Sequence, residues 1–170
     1  MVSKKNKEAR KKGKKREGRG LIDMFYNMLI TLDGSELAEA VLPYAEEMAN
    51  RFSCRKVVLL RVVPPLRYFV EGSFYEMGDT REKLEADAQA YLQQVAKRLN
   101  FKGLEAETEV RYGEVAGEIL DCTIERGVDL MAMSTHGYSG IKRWVFGSVA
   151  ERVLRSLTIP ILLIRPEEMK

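Results

Sequence analysis

Short apolar runs alternate with stretches of helical periodicity along most of the chain. Runs that are apolar at nearly every position are typical of strands buried on both faces, and they fall at residues 28–31, 56–63, 129–134 and 159–165. Between them, apolar residues recur every three or four positions, which predicts helices over 35–51, 80–100, 114–126 and 147–157. A polar run at 105–111 is predicted as a strand near a sheet edge, and 66–79 as a loop.

Two helices have features that the structure can test. Pro43 interrupts the helix predicted at 35–51, and because proline lacks an N–H it indicates either a kink or a later helix start. In the helix predicted at 114–126, the periodicity places four residues toward the core: Val115, Ile119, Leu120 and Ile124.

The alternation of strand and helix predicts the fold class. Parallel strands need right-handed crossover connections, and helices then cover both faces of the sheet. Five strands within about 145 residues fit one doubly wound α/β domain, which we place at residues 24–166.

Residues 1–20 differ in composition from the rest of the chain. They hold ten lysine and arginine residues against Glu8 and Glu17, with almost no apolar residues. We interpret them as a disordered basic tail. Residues 4–19 could contact nucleic acid through phosphates, although a solvated tail without a specific partner is the favoured reading. A start of translation at Met24 is a further alternative.

Cysteine usage and hydropathy limit the location of the protein. Cys54 and Cys122 form no disulfide framework, and with a single histidine in the chain there is no recognisable zinc site. We therefore expect a reducing compartment, the cytoplasm. No apolar run approaches the roughly 18 residues of a membrane span, so we predict no membrane association.

The chemistry-bearing residues follow two of the predicted strands. The first strand leads through Thr31 and Leu32 to Asp33, and the fourth ends in Met133 and Ser134. Beyond that strand come Gly137, Gly140, Gly147, Ser148 and Val149. Glycines let backbone N–H groups approach a phosphate closely, a helix start adds positive charge, and a carboxylate suits ribose hydroxyls. The competing interpretations are a capping box, Ser148 with Glu151, and glycines that only serve turns.

Several segments resemble the universal stress protein family over residues 24–165. Nucleotide-binding members carry a Gly-x2-Gly-x9-Gly-Ser/Thr signature, and the matching stretch here is Ser134-Thr-His-Gly137, nine residues, then Gly147-Ser148. Four further segments are similar to the family: LITLDGSELAEAVLPYA, VVLLRVV, VAERVLR and IPILLIRP. The first glycine of the signature is Ser134 in this chain, which keeps the backbone N–H and adds a side chain beside the expected ribose-phosphate.

This resemblance implies a Rossmann-like sheet of order 3-2-1-4-5 and a homodimer that pairs through the last strand, Pro160 to Arg165. It also implies bound ATP, with Mg²⁺ or Mn²⁺ held by the phosphates. Asp33 falls where the family's acidic residue meets the nucleoside, with Thr31 and Leu32 beside it, and Val62 where the second strand meets adenine. The phosphate and ribose wall would be formed by Met133, Ser134, Gly137, Gly147, Ser148 and Val149.

The resulting expectation is an ATP-binding module in stress response or signalling. The alternative is a nucleotide-independent dimeric scaffold that acts through protein contacts, with nucleic acid contacted by the basic tail. We assign no catalytic residue and expect slow ATP hydrolysis at most, because no base, nucleophile or metal-ligand set accompanies the glycines.

Overall fold

A computed structural model describes residues 25–65, 67–70, 73–76, 81–99, 101, 106–135 and 147–166, with the backbone alone for 67–70 and 73–76. The strands are β1 Asn27–Thr31, β2 Lys56–Val63, β3 Arg67–Val70, β4 Ser73–Glu76, β5 Glu107–Tyr112, β6 Leu130–Ser134 and β7 Ile161–Ile164. The helices are α1 Glu36–Glu39, α2 Leu42–Arg51, α3 Arg81–Arg98, α4 Val115–Glu125 and α5 Ser148–Ser156.

Five strands form one parallel sheet in the order β5-β2-β1-β6-β7. Counted without the small β3-β4 pair, this is the order 3-2-1-4-5, so the predicted architecture is confirmed. The chain adds β2 and β5 on one side of β1, and then β6 and β7 on the other. Strand order therefore reverses between β1 and β6, and a crevice opens at such a point beyond the carboxyl ends of the strands.

Two separate apolar clusters cover the two faces of the sheet. One contains Met28 and Ile30 of β1 together with Val41, Leu42 and Leu92, and it packs α1, α2 and α3 on one face. The other packs α4 and α5 on the opposite face through apolar side chains that include Leu29, Ile119, Met131, Ala150 and Val153. Burial of each large aliphatic side chain contributes about 1.5–3 kcal/mol, so the central strands hold the fold together.

The edge strands are less buried than the central ones. Every residue of β6 is buried, whereas all four residues of β7 and five of the six residues of β5 are only partly buried. The polar sequence of β5 therefore matches its position at the edge, as predicted.

The region predicted as one helix over 35–51 contains two helices. Ser35 caps α1, because its hydroxyl oxygen accepts a hydrogen bond of 3.1 Å from the N–H of Ala38. Pro43 lies in the first turn of α2, where a missing N–H costs no intrahelical hydrogen bond. Of the two alternatives for Pro43, a later helix start is confirmed.

Two predictions about local structure were wrong. The segment predicted as a loop at 66–79 contains β3 and β4, which pair antiparallel. Ile124 is 75% exposed, because the buried face of α4 is formed by Ala116, Ile119, Cys122 and Thr123. Ile124 lies five residues after Ile119, which is about 140° away around a helix of 3.6 residues per turn.

Candidate functional site

The carboxyl ends of β1, β2 and β6 border a cavity of about 710 Å³. This volume lies within the range of roughly 300–1,000 Å³ that small-molecule sites occupy. Its described lining comprises Thr31, Leu32, Asp33, Ala38, Leu60, Arg61, Val62, Val63, Pro64, Leu84, Asp87, Val115, Ile119, Met133, Ser134, Thr135, Gly147, Ser148, Val149 and Ala150. The cavity thus lies where the order of the strands reverses.

On one side of the cavity, Asp33 is held by the start of α1. Its Oδ1 accepts hydrogen bonds from the backbone N–H of Ser35 at 2.9 Å and from the Ser35 hydroxyl at 2.6 Å. Because the same hydroxyl oxygen caps α1, the carboxylate and the helix start form one rigid unit. Gly34 between them has φ +93°, a conformation that side-chain-bearing residues rarely adopt. The sequence Asp33-Gly34-Ser35 therefore fixes an acceptor at the end of β1.

On the other side, Thr135 at the end of β6 and Gly147 at the start of α5 lie next to each other. The N–H of Thr135 donates to the carbonyl oxygen of Ile164 at 2.8 Å, and the N–H of Gly147 donates to the carbonyl oxygen of Thr135 at 3.0 Å. A Cβ atom on Gly147 would lie 3.1 Å from that same carbonyl oxygen. Any other residue at position 147 would therefore force the backbone of Thr135 and Gly147 slightly apart.

The first turn of α5 also borders the cavity. Gly147 is the N-cap, and Ser148, Val149 and Ala150 begin the helix and line the cavity. Their N–H groups have no intrahelical acceptors, and the helix dipole places partial positive charge there. This turn is suited to an anionic group such as a phosphate.

The capping-box interpretation of Ser148 is wrong. Ser148 is the first residue of α5, and no side-chain hydrogen bond caps the helix. Glu151 instead forms an ion pair with Arg155 at 2.6 Å. Helix capping therefore does not explain the serine at this position, and its exposed hydroxyl adds a donor beside the N–H groups of the first turn.

Ser134 provides a second polar group in the same cavity. The residue is 8% exposed, and its Oγ has no hydrogen-bond partner among the described residues. A buried hydroxyl without a partner costs roughly 1–3 kcal/mol. A polar ligand in the cavity would remove this cost, so the residues present fit a group that carries hydroxyl or phosphate oxygens.

Apolar side chains form the rest of the wall. Val62, Met133 and Ile119 belong to the cluster under α4 and α5 and also line the cavity. A flat apolar ring such as a nucleobase matches this part of the wall, whereas the polar atoms of Asp33 and Ser148 suit the remainder of a nucleotide.

Sequence reasoning identified much of this lining. The structure places nine of the predicted residues around the one cavity: Thr31, Leu32, Asp33, Val62, Met133, Ser134, Gly147, Ser148 and Val149. Gly137 lies outside the described residues, as do His136 and Gly140. Arg61 was missed, although a charged residue inside the apolar run VVLLRVV was a usable signal.

Behind Arg61, three side chains form a polar chain along α1 and α3. The Tyr91 hydroxyl donates to Glu39 Oε1 at 3.0 Å, and Arg98 donates to Glu39 Oε2 at 2.8 Å. Burial, the hydrogen bond to Glu39 and the charge of that carboxylate raise the pKa of Tyr91 above its usual value. Tyr91 is therefore un-ionised at neutral pH and acts as a hydrogen-bond donor.

The structure gives two further observations about metals and membranes. Among the described residues there is no group of three or more His, Cys, Asp or Glu side chains placed to hold a metal ion. The helices in the described part of the chain are too short or too polar to cross a membrane.

Strand order and cavity together define a doubly wound α/β protein with a cavity at the switch point of its sheet. The family model described as the universal stress protein family matches residues 24–165, and the chain belongs to that family. It is 28% identical over 148 residues to universal stress protein YxiE of Bacillus subtilis, covering 84% of this chain and all of that one. It is 30% identical over 151 residues to the putative universal stress protein SH1215 of Staphylococcus haemolyticus, covering 85% of this chain and 87% of the relative.

Solved structures show the same fold. The structure of protein MJ0577 of Methanocaldococcus jannaschii has a TM-score of 0.71 at 23% identity and covers 86% of this chain and 99% of its own. A universal stress protein in complex with cAMP has a TM-score of 0.58 at 16% identity, with 84% and 98% covered. The universal stress protein of Archaeoglobus fulgidus in complex with dAMP has a TM-score of 0.55 at 18% identity, with 82% and 98% covered.

Proposed function

We propose that the chain binds an adenine nucleotide, ATP in particular, in the cavity at the switch point and acts as a stress-response or signalling module. The observation that carries the proposal is the placement of an ordered acceptor, Asp33, across the cavity from the N–H groups at the start of α5, which have no intrahelical acceptors, with an apolar wall between them. The complexes of family members with cAMP and dAMP support it, because both ligands are adenine nucleotides.

Each part of the nucleotide has a proposed counterpart in the cavity. Asp33, with Thr31 and Leu32 beside it, would meet the nucleoside, and Val62 would meet the adenine. The ribose and phosphates would contact Met133, Ser134, Gly147, Ser148 and Val149, completed by Gly137. Any Mg²⁺ or Mn²⁺ would be held by the phosphates, which supply the oxygen ligands that these ions prefer. We assign no catalytic role to these residues, and slow ATP hydrolysis is the most that we expect.

The direct test begins with the protein as purified. Full-length protein is denatured and the released small molecules are identified by mass spectrometry, and protein stripped of ligand is then titrated with ATP, GTP and adenosine. We expect release of an adenine nucleotide and binding of ATP more tightly than GTP. Absence of released nucleotide together with no ATP binding at millimolar concentration would contradict the proposal and favour a nucleotide-independent scaffold.

A homodimer through the last strand is the second part of the proposal. The edge strand β7 has the sequence ILLI, and all four residues remain partly exposed. An apolar edge with unpaired backbone groups is a surface for pairing with another strand. Sedimentation measurements should give a dimer, and the β7 amides should lose hydrogen-exchange protection on dilution to monomer. A monomer at all concentrations would contradict pairing through Pro160 to Arg165.

The last parts of the proposal concern the cellular location of the protein and its basic tail, residues 1–20. Cys54 and Cys122 are both free thiols, in keeping with the reducing cytoplasm that we propose as the location. Residues 1–20 lie outside the described residues, and nucleic-acid contact through 4–19 stays a prediction. If this prediction is right, the protein should bind DNA or RNA weakly, and the affinity should fall steeply with salt. Deletion of residues 1–20 should abolish the binding.

A further inference from the structure

Arg61 is held in a fixed position at the border of the cavity. Its guanidinium carbon lies 5.1 Å from the centroid of the Tyr91 ring. Its guanidinium atoms come within 2.9 to 3.0 Å of the position that a Cβ on Gly34 would occupy. The head group is therefore packed between an aromatic ring and the backbone of the turn that carries Asp33.

Arg61 has no ion-pair partner among the residues that the structure describes. The ion pairs found there involve Lys56 and other arginines, including Arg98 and Arg111. The carboxylate of Glu39, which lies beside Tyr91, has one oxygen bound to Tyr91 and the other to Arg98. The tyrosine ring thus holds the guanidinium by stacking, an interaction that does not neutralise its positive charge.

This charge changes the electrostatics of the cavity. Among the described lining residues Arg61 is the single cation, and Asp33 and Asp87 are the two carboxylates. A polyanionic ligand would be repelled by those carboxylates if Arg61 were absent. Arg61 lies on β2, and the start of α5 follows β6, two strand positions away, so the two strand backbones are about 10 Å apart. The side chain of Arg61 stacks on Tyr91 of α3, on the sheet face opposite to α5, so its charge reaches a phosphate at α5 from about 10 Å or more, past the ends of the strands.

We propose that Arg61 is a specificity-determining residue that makes the cavity favour phosphorylated adenosines over adenosine itself. The proposal rests on the nucleotide binding proposed above and explains how the cavity would distinguish ligands by their negative charge. The Coulomb energy grows with the charge of the ligand, so the contribution of Arg61 should be absent for adenosine, small for AMP and largest for ATP. At about 10 Å or more in a partly aqueous site, removal of Arg61 should weaken ATP binding about threefold to fivefold at low salt.

The experiment compares three variants with the wild type. In Arg61→Met the unbranched side chain keeps apolar contact with Tyr91 but has no charge, and Arg61→Lys keeps the charge. Arg55→Met is the matched control, because Arg55 also stacks on a tyrosine, Tyr26, at 4.6 Å. Arg55 precedes β2 and lies six residues, about 20 Å, from Arg61, beyond the Debye length of about 8 Å at physiological salt.

Dissociation constants are measured by calorimetry for adenosine, AMP, ADP and ATP at low and at high salt. We expect Arg61→Met to weaken binding by a factor that rises from adenosine to ATP and shrinks with salt, Arg61→Lys to retain most of the preference for ATP, and Arg55→Met to behave as the wild type. Any damage to the Gly34 turn should weaken the binding of all four ligands equally, because all contain adenosine. This effect therefore cancels in the ratios of their dissociation constants.

The outcomes separate this proposal from the proposed function. Equal loss of affinity for adenosine and ATP in Arg61→Met would show a structural role only and overturn the selectivity. An equal loss for ATP in Arg55→Met and Arg61→Met would also overturn it. If the wild type binds none of the four ligands, the proposed function fails and the role of Arg61 fails with it.

Discussion

The N–H of Gly147 donates a hydrogen bond of 3.0 Å to the carbonyl oxygen of Thr135. This bond joins the end of β6 to the start of α5, so the strand end and the helix N-terminus border the cavity as one unit. A Cβ atom at position 147 would lie 3.1 Å from the same carbonyl oxygen. The spacing between strand and helix therefore depends on a residue without a side chain.

Replacement of Gly147 by valine should weaken ATP binding at least tenfold, because the added side chain pushes the first turn of α5 away from Thr135. The dissociation constant for ATP is measured by calorimetry, and circular dichroism checks that the fold is retained. Gly117→Ala is the control, since its Cβ would approach only the carboxylate of Glu114, the end of a side chain rather than backbone, and Gly117 is not among the described residues that line the cavity. Equal ATP affinity in the two variants would contradict the site.

Replacement of Gly34 by alanine should destabilise the protein by about 2 kcal/mol, because it adds a steric conflict to an unfavourable backbone conformation. Gly34 has φ +93°, and its Cβ would lie 2.9 Å from the guanidinium of Arg61. Gly127→Ala shares the positive φ but meets no atom closer than 3.8 Å, so it should cost only about 1 kcal/mol. Urea unfolding measures both values. A smaller cost for Gly34 than for Gly127 would show that the contact with Arg61 is unimportant.

Replacement of Glu109 by glutamine should reduce the loss of folding stability that the protein undergoes as the pH falls into the acid range. Burial alone would raise the pKa of Glu109, but the hydrogen bond from Arg111 and the ion pair with Arg126 outweigh it and lower the pKa below its ordinary value. A carboxyl whose pKa is lowered by folding contributes stability above its unfolded pKa, and this is lost as the pH falls through the folded value.

The side chain of Glu109 is 14% exposed, so the loss on replacement should be about 2 kcal/mol at pH 7. The difference in unfolding free energy between wild type and Glu109→Gln should shrink below the ordinary pKa of 4.5. Glu125→Gln removes a more exposed partner of Arg111 and should cost less than about 1 kcal/mol. A difference that does not change with pH would show that the ion pairs of Glu109 contribute nothing.

Both cysteines should react slowly with iodoacetamide in the native protein. Burial, followed by the nearby carboxylates of Asp129 and Glu109, raises the pKa of Cys54 and Cys122 to about 11. The thiolate is the reactive form, so at pH 8 alkylation should be about a hundredfold slower than for an ordinary thiol with a pKa of about 8.5. Mass spectrometry over a pH series measures the rates, with denatured protein as the reference. A native rate equal to the denatured rate would contradict the burial of these thiols.

Elements with a strong periodic pattern were predicted well, and the exceptions have local causes. The strand β2 was found at the predicted residues 56–63 because every side chain there except Lys56 and Arg61 is apolar. The helix face of α4 was wrong at Ile124, since small residues such as Ala116 and Cys122 take the core positions and hydropathy weights large side chains more heavily. The β3-β4 pair was missed because its residues show no alternation of apolar and polar positions.

The sequence by itself determined the five strands of the parallel sheet, most of the helices, and the positions of Asp33 after the first strand and of Gly147 before the last helix. Periodicity and turn chemistry act between neighbours along the chain, which is why these features could be predicted. Strand order was inferred from family resemblance, and the paired strands confirmed it. Only the tertiary structure decided that Arg61 stacks on Tyr91 over Gly34, and that Ser134 Oγ lacks a partner among the described residues. Those relationships join residues far apart in the chain, and their distances depend on how the helices pack against the sheet.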